Sequence, residues 1–191
     1  MKILIAGDSF AADWTVKHKG HVGWSNLLAQ EHSVTNLAQA GCSEYRIYKQ
    51  LVSQTLSNFD LIIVSHTSPY RLYVAEHPLH SENQLHKDSD VIYSDIKGRV
   101  PVLEEYFENY FDLEYARFVH TATGKEIKEL LNGHLSLHLQ HVEGNMPCDF
   151  EHTLDLSKEW KKYRGLINHY SDEGNSVIYN TVSNRVAHLR A

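Results

Sequence analysis

Apolar and polar positions alternate between two kinds of segment along the chain. Short continuous apolar runs occur at 2–6 (KILIA) and 60–65 (DLIIVS). Such runs predict strands covered on both faces, as in a parallel sheet. Residues 34–38 predict another strand, and 24–30 a short helix after a polar turn. Segment 43–56 carries Ile47, Leu51, Val52 and Leu56 near the helical period, with Ser43 as its N-cap. The pattern then breaks. Residues 67–101 hold three of the four prolines and several histidines without a strong period. They predict a long loop with short pieces of helix, a form often used for lids and binding loops. A helix rich in Tyr and Phe is expected at 103–119 and a second helix at 123–131. The alternation of HLSLHLQHV at 134–142 predicts a strand, and 156–163 a short helix. The last helix is expected at 172–189, with Val177, Ile178, Val182, Val186 and Leu189 along one stripe.

Strands alternating with helices predict one α/β domain over 1–191, with a mainly parallel sheet and a loop insertion at about 67–101. In such sheets ligands gather at the carboxyl ends of the strands. Ser9 follows the first strand, Gly41 the second and Ser65–Ser68 the third. Three segments distant in sequence should therefore meet at one edge.

Composition narrows the function classes. The net charge of −6 argues against a nucleic-acid binder, which carries a basic face. No run of 18 apolar residues spans a bilayer. After Lys2 only residues 3–6 are apolar before Gly7-Asp8, too few for a secretory signal. A cytoplasmic protein without a membrane or nucleic-acid partner is expected. The two cysteines, Cys42 and Cys148, make no disulfide framework. His134 and His138 would share one strand face and His141 the other, a poor metal set. No metal or other cofactor is expected.

Candidate chemistry lies at the two ends of the chain. Alone, Ser9 in GDSF reads as a turn or helix-cap residue. A nucleophilic serine needs a base and donors for the oxyanion. His169, in NHYSDEGN just before the last helix, is the candidate base. GDSF, NLAQAG and NHYSDEGN, in this order and spacing, resemble the GDSL/SGNH hydrolases, and the resemblance spans nearly the whole chain.

The resemblance implies a three-layer α/β/α sandwich with a flavodoxin-like parallel sheet. It implies a serine hydrolase cleaving a short-chain acyl ester, of a small molecule or a carbohydrate, without cofactors. Ser9 matches the nucleophile and His169 the general base. Asp8 matches the acid beside the serine. The N–H groups of Ser9 and Gly41 match two oxyanion donors. Two positions depart from the family pattern. After the third strand the family usually carries an oxyanion Asn, whereas this chain reads SHTSPYR over 65–71, leaving Thr67 or Ser68 as a hydroxyl donor. Three residues before His169 stands Leu166 rather than the usual Asp, so Asn168 and backbone carbonyls are the candidates to orient the imidazole. Arg71, Tyr70 and Asn168 are expected to contact substrate. The alternative is a weak or inactive module of the same fold that binds a carbohydrate or acyl ligand. No G-x-G-x-x-G or G-x-x-x-x-G-K-[ST] supports a phosphate-binding reading.

Overall fold

The computed structural model describes residues 1–16, 20–80, 85–165 and 169–189. Five parallel strands form one sheet: β1 (Lys2–Gly7), β2 (Ser33–Asn36), β3 (Leu61–His66), β4 (Ser136–Gln140) and β5 (Thr153–Asp155). Their order is β2-β1-β3-β4-β5, the flavodoxin-like arrangement. The apolar runs of β1 and β3 form the sheet centre because both faces are covered. Ile3 and Ile5 of β1 and Ile63 of β3 pack on one side, Leu4, Ile62 and Val64 on the other.

Helices cover the two faces. On the first lie α1 (Trp24–Leu28) and the long C-terminal α7 (Asp172–Leu189), which buries Ile178, Val182 and Val186 at helical spacing. Asn175 ties them together, its Oδ1 accepting the Trp24 N–H at 3.1 Å. On the second lie α2 (Glu44–Val52) and α5 (Leu113–Leu130). The α/β/α layering expected from the sequence is therefore present. Ser43 caps α2 as expected, accepting the Arg46 N–H at 3.3 Å.

Between β3 and α5, the chain makes α3 (Tyr93–Ile96) and α4 (Pro101–Asn109). The short α6 (Ser157–Lys162) precedes α7. Leu72 and Val91 pair as an isolated antiparallel bridge, closing the base of the insertion. Two expectations need correction. The helix expected at 103–119 is divided at Tyr110–Asp112, and the break expected near 120 is absent. Asp112 causes the division: its side chain accepts the Tyr115 N–H at 2.8 Å and starts a new helix there. The sequence pattern also missed β5, which has three residues.

No helix among the described residues is long and apolar enough to cross a membrane.

The sheet order places a crevice at β1 and β3. From β1 the chain runs outward to β2 on one side, then returns to β3 on the other. Loops leaving the two central strands thus diverge, and ligands bind between them. Here the strands also approach closely. Gly7 is in register with Ser65, and a Cβ on Gly7 would lie 2.6 Å from the Ser65 Cβ. Gly7→Ala is expected to cost about 1–3 kcal/mol through overpacking. Urea unfolding checks this; an unchanged midpoint would contradict the close approach.

Candidate functional site

Past Gly7 the backbone turns sharply. The N–H groups of Ala11 and Ala12 donate to the Asp8 carbonyl at 3.1 Å each. The Asp8 side chain closes the turn by accepting the Phe10 N–H at 3.0 Å. This turn carries Ser9, which is buried. The Trp14 indole N–H donates to the Ser9 carbonyl at 2.8 Å, fixing its backbone. Gln50 of α2 holds the strand end from below, accepting the Gly7 N–H at 2.7 Å and donating to the Gly7 carbonyl at 3.2 Å.

Asp8 links this turn to β3. Its Oδ1 accepts the Ser65 hydroxyl at 3.3 Å. Burial pushes its carboxyl up to about 6, while Arg71, the Phe10 N–H, Thr67 and Ser65 pull in the opposite direction. Thr67 is buried, and its Oγ1 accepts Arg71 Nε–H at 3.2 Å. The Thr67 hydroxyl thus lies in a chain running from Asp8 to Arg71. Ser68 Oγ accepts the Tyr70 N–H at 3.3 Å. Tyr70 is exposed and borders a surface groove with Tyr93 and Phe107.

The loop after β2 reaches the same place. Gly41 has φ +84°, a conformation that favours glycine, and a Cβ there would meet the Ser89 Cβ at 2.7 Å. Its carbonyl accepts the Asp90 N–H at 3.0 Å and Arg71 Nη1–H at 3.2 Å. Arg71 therefore bridges the loops after β2 and β3. Cys42 next to Gly41 is buried, and desolvation pushes its thiol up, so it stays protonated.

His169 arrives from the opposite end of the chain. The Arg164–Tyr170 bridge and a Gly165 N–H to His169 carbonyl bond of 2.6 Å shape its loop. The imidazole packs with its centroid 4.6 Å from the Trp14 ring and 5.1 Å from Phe10. Phe10 also stacks on His141 at 4.7 Å, and His141 Nδ1 is hydrogen-bonded to the Tyr170 hydroxyl at 2.8 Å. Burial drives His141 down to about 3, so it is neutral. Ser9, Gly41, Thr67, Arg71, Asp8 and His169 thus converge on the carboxyl edge of the central strands. Asn168 and Leu166 lie outside the described residues.

One polar cluster beside this edge was invisible to sequence reasoning. Glu44 of α2 is buried, with Oε1 2.6 Å from His66 Nδ1. His66 Nε2 lies 2.9 Å from His138 Nδ1, and His138 Nε2 lies 3.1 Å from Ser136 Oγ. Burial raises Glu44 to about 7 and lowers His66 to about 3. Burial thus disfavours the charged form of both partners in the short Glu44–His66 contact. Glu44 Oε2 accepts the Thr67 N–H at 3.4 Å, which joins the cluster to the site.

His134, His138 and His141 do not assemble. His138 packs beneath Phe150 and His141 against Phe10, on opposite faces of the sheet. Among the described residues, His77, His80 and Asp95 offer ligand atoms within 4.8 Å of one another. His77 Nδ1 accepts the Leu79 N–H at 3.1 Å, so the neutral ring carries its proton on Nε2. A cation on Nε2 would require the other tautomer and the loss of that bond.

No family model matches the chain, and no curated protein matches it. Two solved structures resemble it. One is a candidate lipolytic protein of the G-D-S-L family from Desulfitobacterium hafniense, at 14% identity and a TM-score of 0.38, covering 96% of this chain and 98% of that one. The other is a candidate acylhydrolase from Bacteroides fragilis, at 12% identity and a TM-score of 0.40, covering 98% and 88%. Likenesses this low leave the reading of the site to the chain's own residues.

The raised pKa of Asp8 has a definite sign. Its folded value lies above the unfolded 3.8, so the folded state holds the proton more tightly. The stability this gives is complete below about pH 4 and is lost as pH rises through about 6. The difference between the two values corresponds to roughly 3 kcal/mol. Asp8→Asn keeps an acceptor for the Phe10 N–H but removes the buried charge. Its stability relative to the parent should improve by up to roughly 3 kcal/mol between about pH 4 and pH 8. Denaturant unfolding at both pH values checks this. The same difference at both would contradict a buried, proton-favouring Asp8.

Proposed function

We propose that the chain is a serine hydrolase of the GDSL/SGNH type that cleaves a short-chain acyl ester. Ser9 is the nucleophile and His169 the general base. The observation that carries this reading is the Trp14 contact pair. The indole N–H holds the Ser9 carbonyl at 2.8 Å, while the indole ring packs 4.6 Å from His169. One side chain thereby links the two motifs from opposite ends of the sequence.

In the proposed reaction, Ser9 Oγ attacks the ester carbonyl carbon as His169 accepts the serine proton. The backbone N–H groups of Ser9 and Gly41 stabilise the oxyanion. His169 then protonates the departing alcohol. Water, deprotonated by His169, attacks the acyl-enzyme and releases the acid and free Ser9. The role of Asp8 is to position Ser9: it accepts the Phe10 N–H and closes the turn.

Arg71 takes the electrostatic place of the amide donor missing after β3. Its guanidinium donates to the Gly41 carbonyl and to Thr67 Oγ1, so its positive charge is fixed beside the Gly41 donor. A fixed cation next to developing negative charge lowers the barrier. Thr67 is then a support for Arg71, and Ser68 is the remaining hydroxyl donor on this loop. Tyr70, exposed on the same loop, is assigned to the outer part of the substrate.

Hydrolysis of 4-nitrophenyl acetate tests the assignment. Ser9→Ala and His169→Ala should each lower kcat/KM by at least about 100-fold. Arg71→Ala should lower kcat by about 10-fold or more with a smaller change in KM. Undiminished turnover by folded Ser9→Ala would exclude the serine mechanism.

A further inference from the structure

The insertion after β3 carries a second cluster that the serine site does not use. His77, His80 and His86 pack their rings in a row, with centroids 4.4 Å apart for the first pair and 4.8 Å for the second. Asp95 of α3 joins them from beyond the Leu72–Val91 bridge. One ring nitrogen each of His77 and His80 and a carboxylate oxygen of Asp95 lie within 4.8 Å of one another. The backbone around this cluster is held in place. Asp90 accepts the Ser43 N–H at 2.8 Å and the Val74 N–H at 3.2 Å, and it pairs with Arg46 at 3.1 Å. The fold itself therefore brings residues 77, 80 and 95 together.

His77 is only 2% exposed. Its Nδ1 accepts the Leu79 N–H at 3.1 Å, so in the neutral ring the proton stands on Nε2. Nε2 is itself buried and has no hydrogen-bond partner among the described residues. A buried donor without an acceptor is costly and calls for an explanation. A cation on Nε2 supplies one. The ring proton then moves to Nδ1, and the Leu79 N–H loses that acceptor. Leu79 is half-buried, so its N–H can turn to water. One neutral hydrogen bond is given up and one stranded donor is removed. Solvent does not reach Nε2, but His80 and Asp95 are both partly exposed. An ion meets these two first, and His77 completes the set.

The ligand types select the ion. Two imidazoles and one carboxylate suit Zn²⁺, Co²⁺ or Ni²⁺, whereas Mg²⁺ and Ca²⁺ take oxygen ligands. Zinc bonds of ~2.0–2.2 Å in a tetrahedron put the ligand atoms about 3.4 Å apart. The set must therefore draw in by little more than an ångström, which the partly exposed His80 and Asp95 allow. The neighbouring Arg99 donates through Nη1 to the Asp95 backbone carbonyl at 3.4 Å rather than to its carboxylate.

We propose that His77, His80 and Asp95 bind one zinc-type divalent cation, with water at the fourth position. The ion ties the outer part of the insertion to α3. It restrains residues 85–91, which lie between its ligands in sequence and touch the loop after β2. There the Leu85 carbonyl accepts the Ala40 N–H at 2.9 Å, and Ser89 lies against Gly41. The role is structural, and the binding does not depend on the hydrolase reading.

Equilibrium dialysis of the metal-free whole protein against Zn²⁺, read by elemental analysis, tests the inference. One Zn²⁺ per chain should be retained, and excess Mg²⁺ should not displace it. Co²⁺ in its place should give the visible absorption of a tetrahedral site. Zn²⁺ should also raise the thermal midpoint, because it binds the folded state. The double variant His80→Ala/Asp95→Asn changes two partly exposed positions. It should lose at least about tenfold in zinc affinity, together with the cobalt absorption and the zinc-dependent rise in midpoint. Ser9→Ala should bind zinc like the parent. No retained zinc, displacement by Mg²⁺, or equal binding by the double variant, which would assign the zinc to other histidines, would overturn the inference.

Discussion

A single buried carboxyl, that of Asp8, joins the parts on which the candidate site depends. It accepts the Phe10 N–H within its own turn and the Ser65 hydroxyl from β3, and it faces the Arg71 guanidinium. Removing a carboxyl from water is costly unless hydrogen bonds and opposite charge compensate. Here they come from different segments and offset part of that cost only when those segments are assembled. The close contact of Gly7 with Ser65 allows this assembly, since any larger residue than glycine would separate the two strands. Arg71 extends the same network to Gly41 and so to the loop after β2.

Much of the frame was legible in the sequence because it follows from continuous or periodic burial. KILIA and DLIIVS are buried on both faces, as uninterrupted apolar runs require. The helix at 172–189 matches its stripe because one face packs on α1 and the sheet. Ser43 is a cap because its hydroxyl offers an acceptor to an otherwise unpaired N–H. The helix division near 110 was misplaced for the same kind of reason. Asp112 caps a helix within a stretch whose Tyr and Phe residues look continuous. The three residues of β5 carry too little pattern to be seen.

The polar interior was not legible. Glu44 occupies the first turn of a helix, where an acid ordinarily faces solvent and the helix dipole. The alternation in HLSLHLQHV suggests a half-exposed strand, yet β4 is covered on both sides and buries His138. Only the tertiary arrangement brings Glu44, His66 and His138 into one chain of hydrogen bonds. Gln50 was equally hidden: its i+3 spacing from Ile47 marks an inward face, but nothing local says that it grips the end of β1. The motif residues were easier to find because their order and spacing carried the signal.

Arg71 joins the loops after β2 and β3 beside the serine corner, through Thr67 Oγ1 and the Gly41 carbonyl. Reaction of the native protein with a fluorophosphonate, followed by peptide mass mapping, tests the central claim most directly. An activated serine at the β1 turn predicts one adduct per chain, located on Ser9 and lost in His169→Ala. A folded protein that takes no label on Ser9, or takes it equally without His169, would contradict the account.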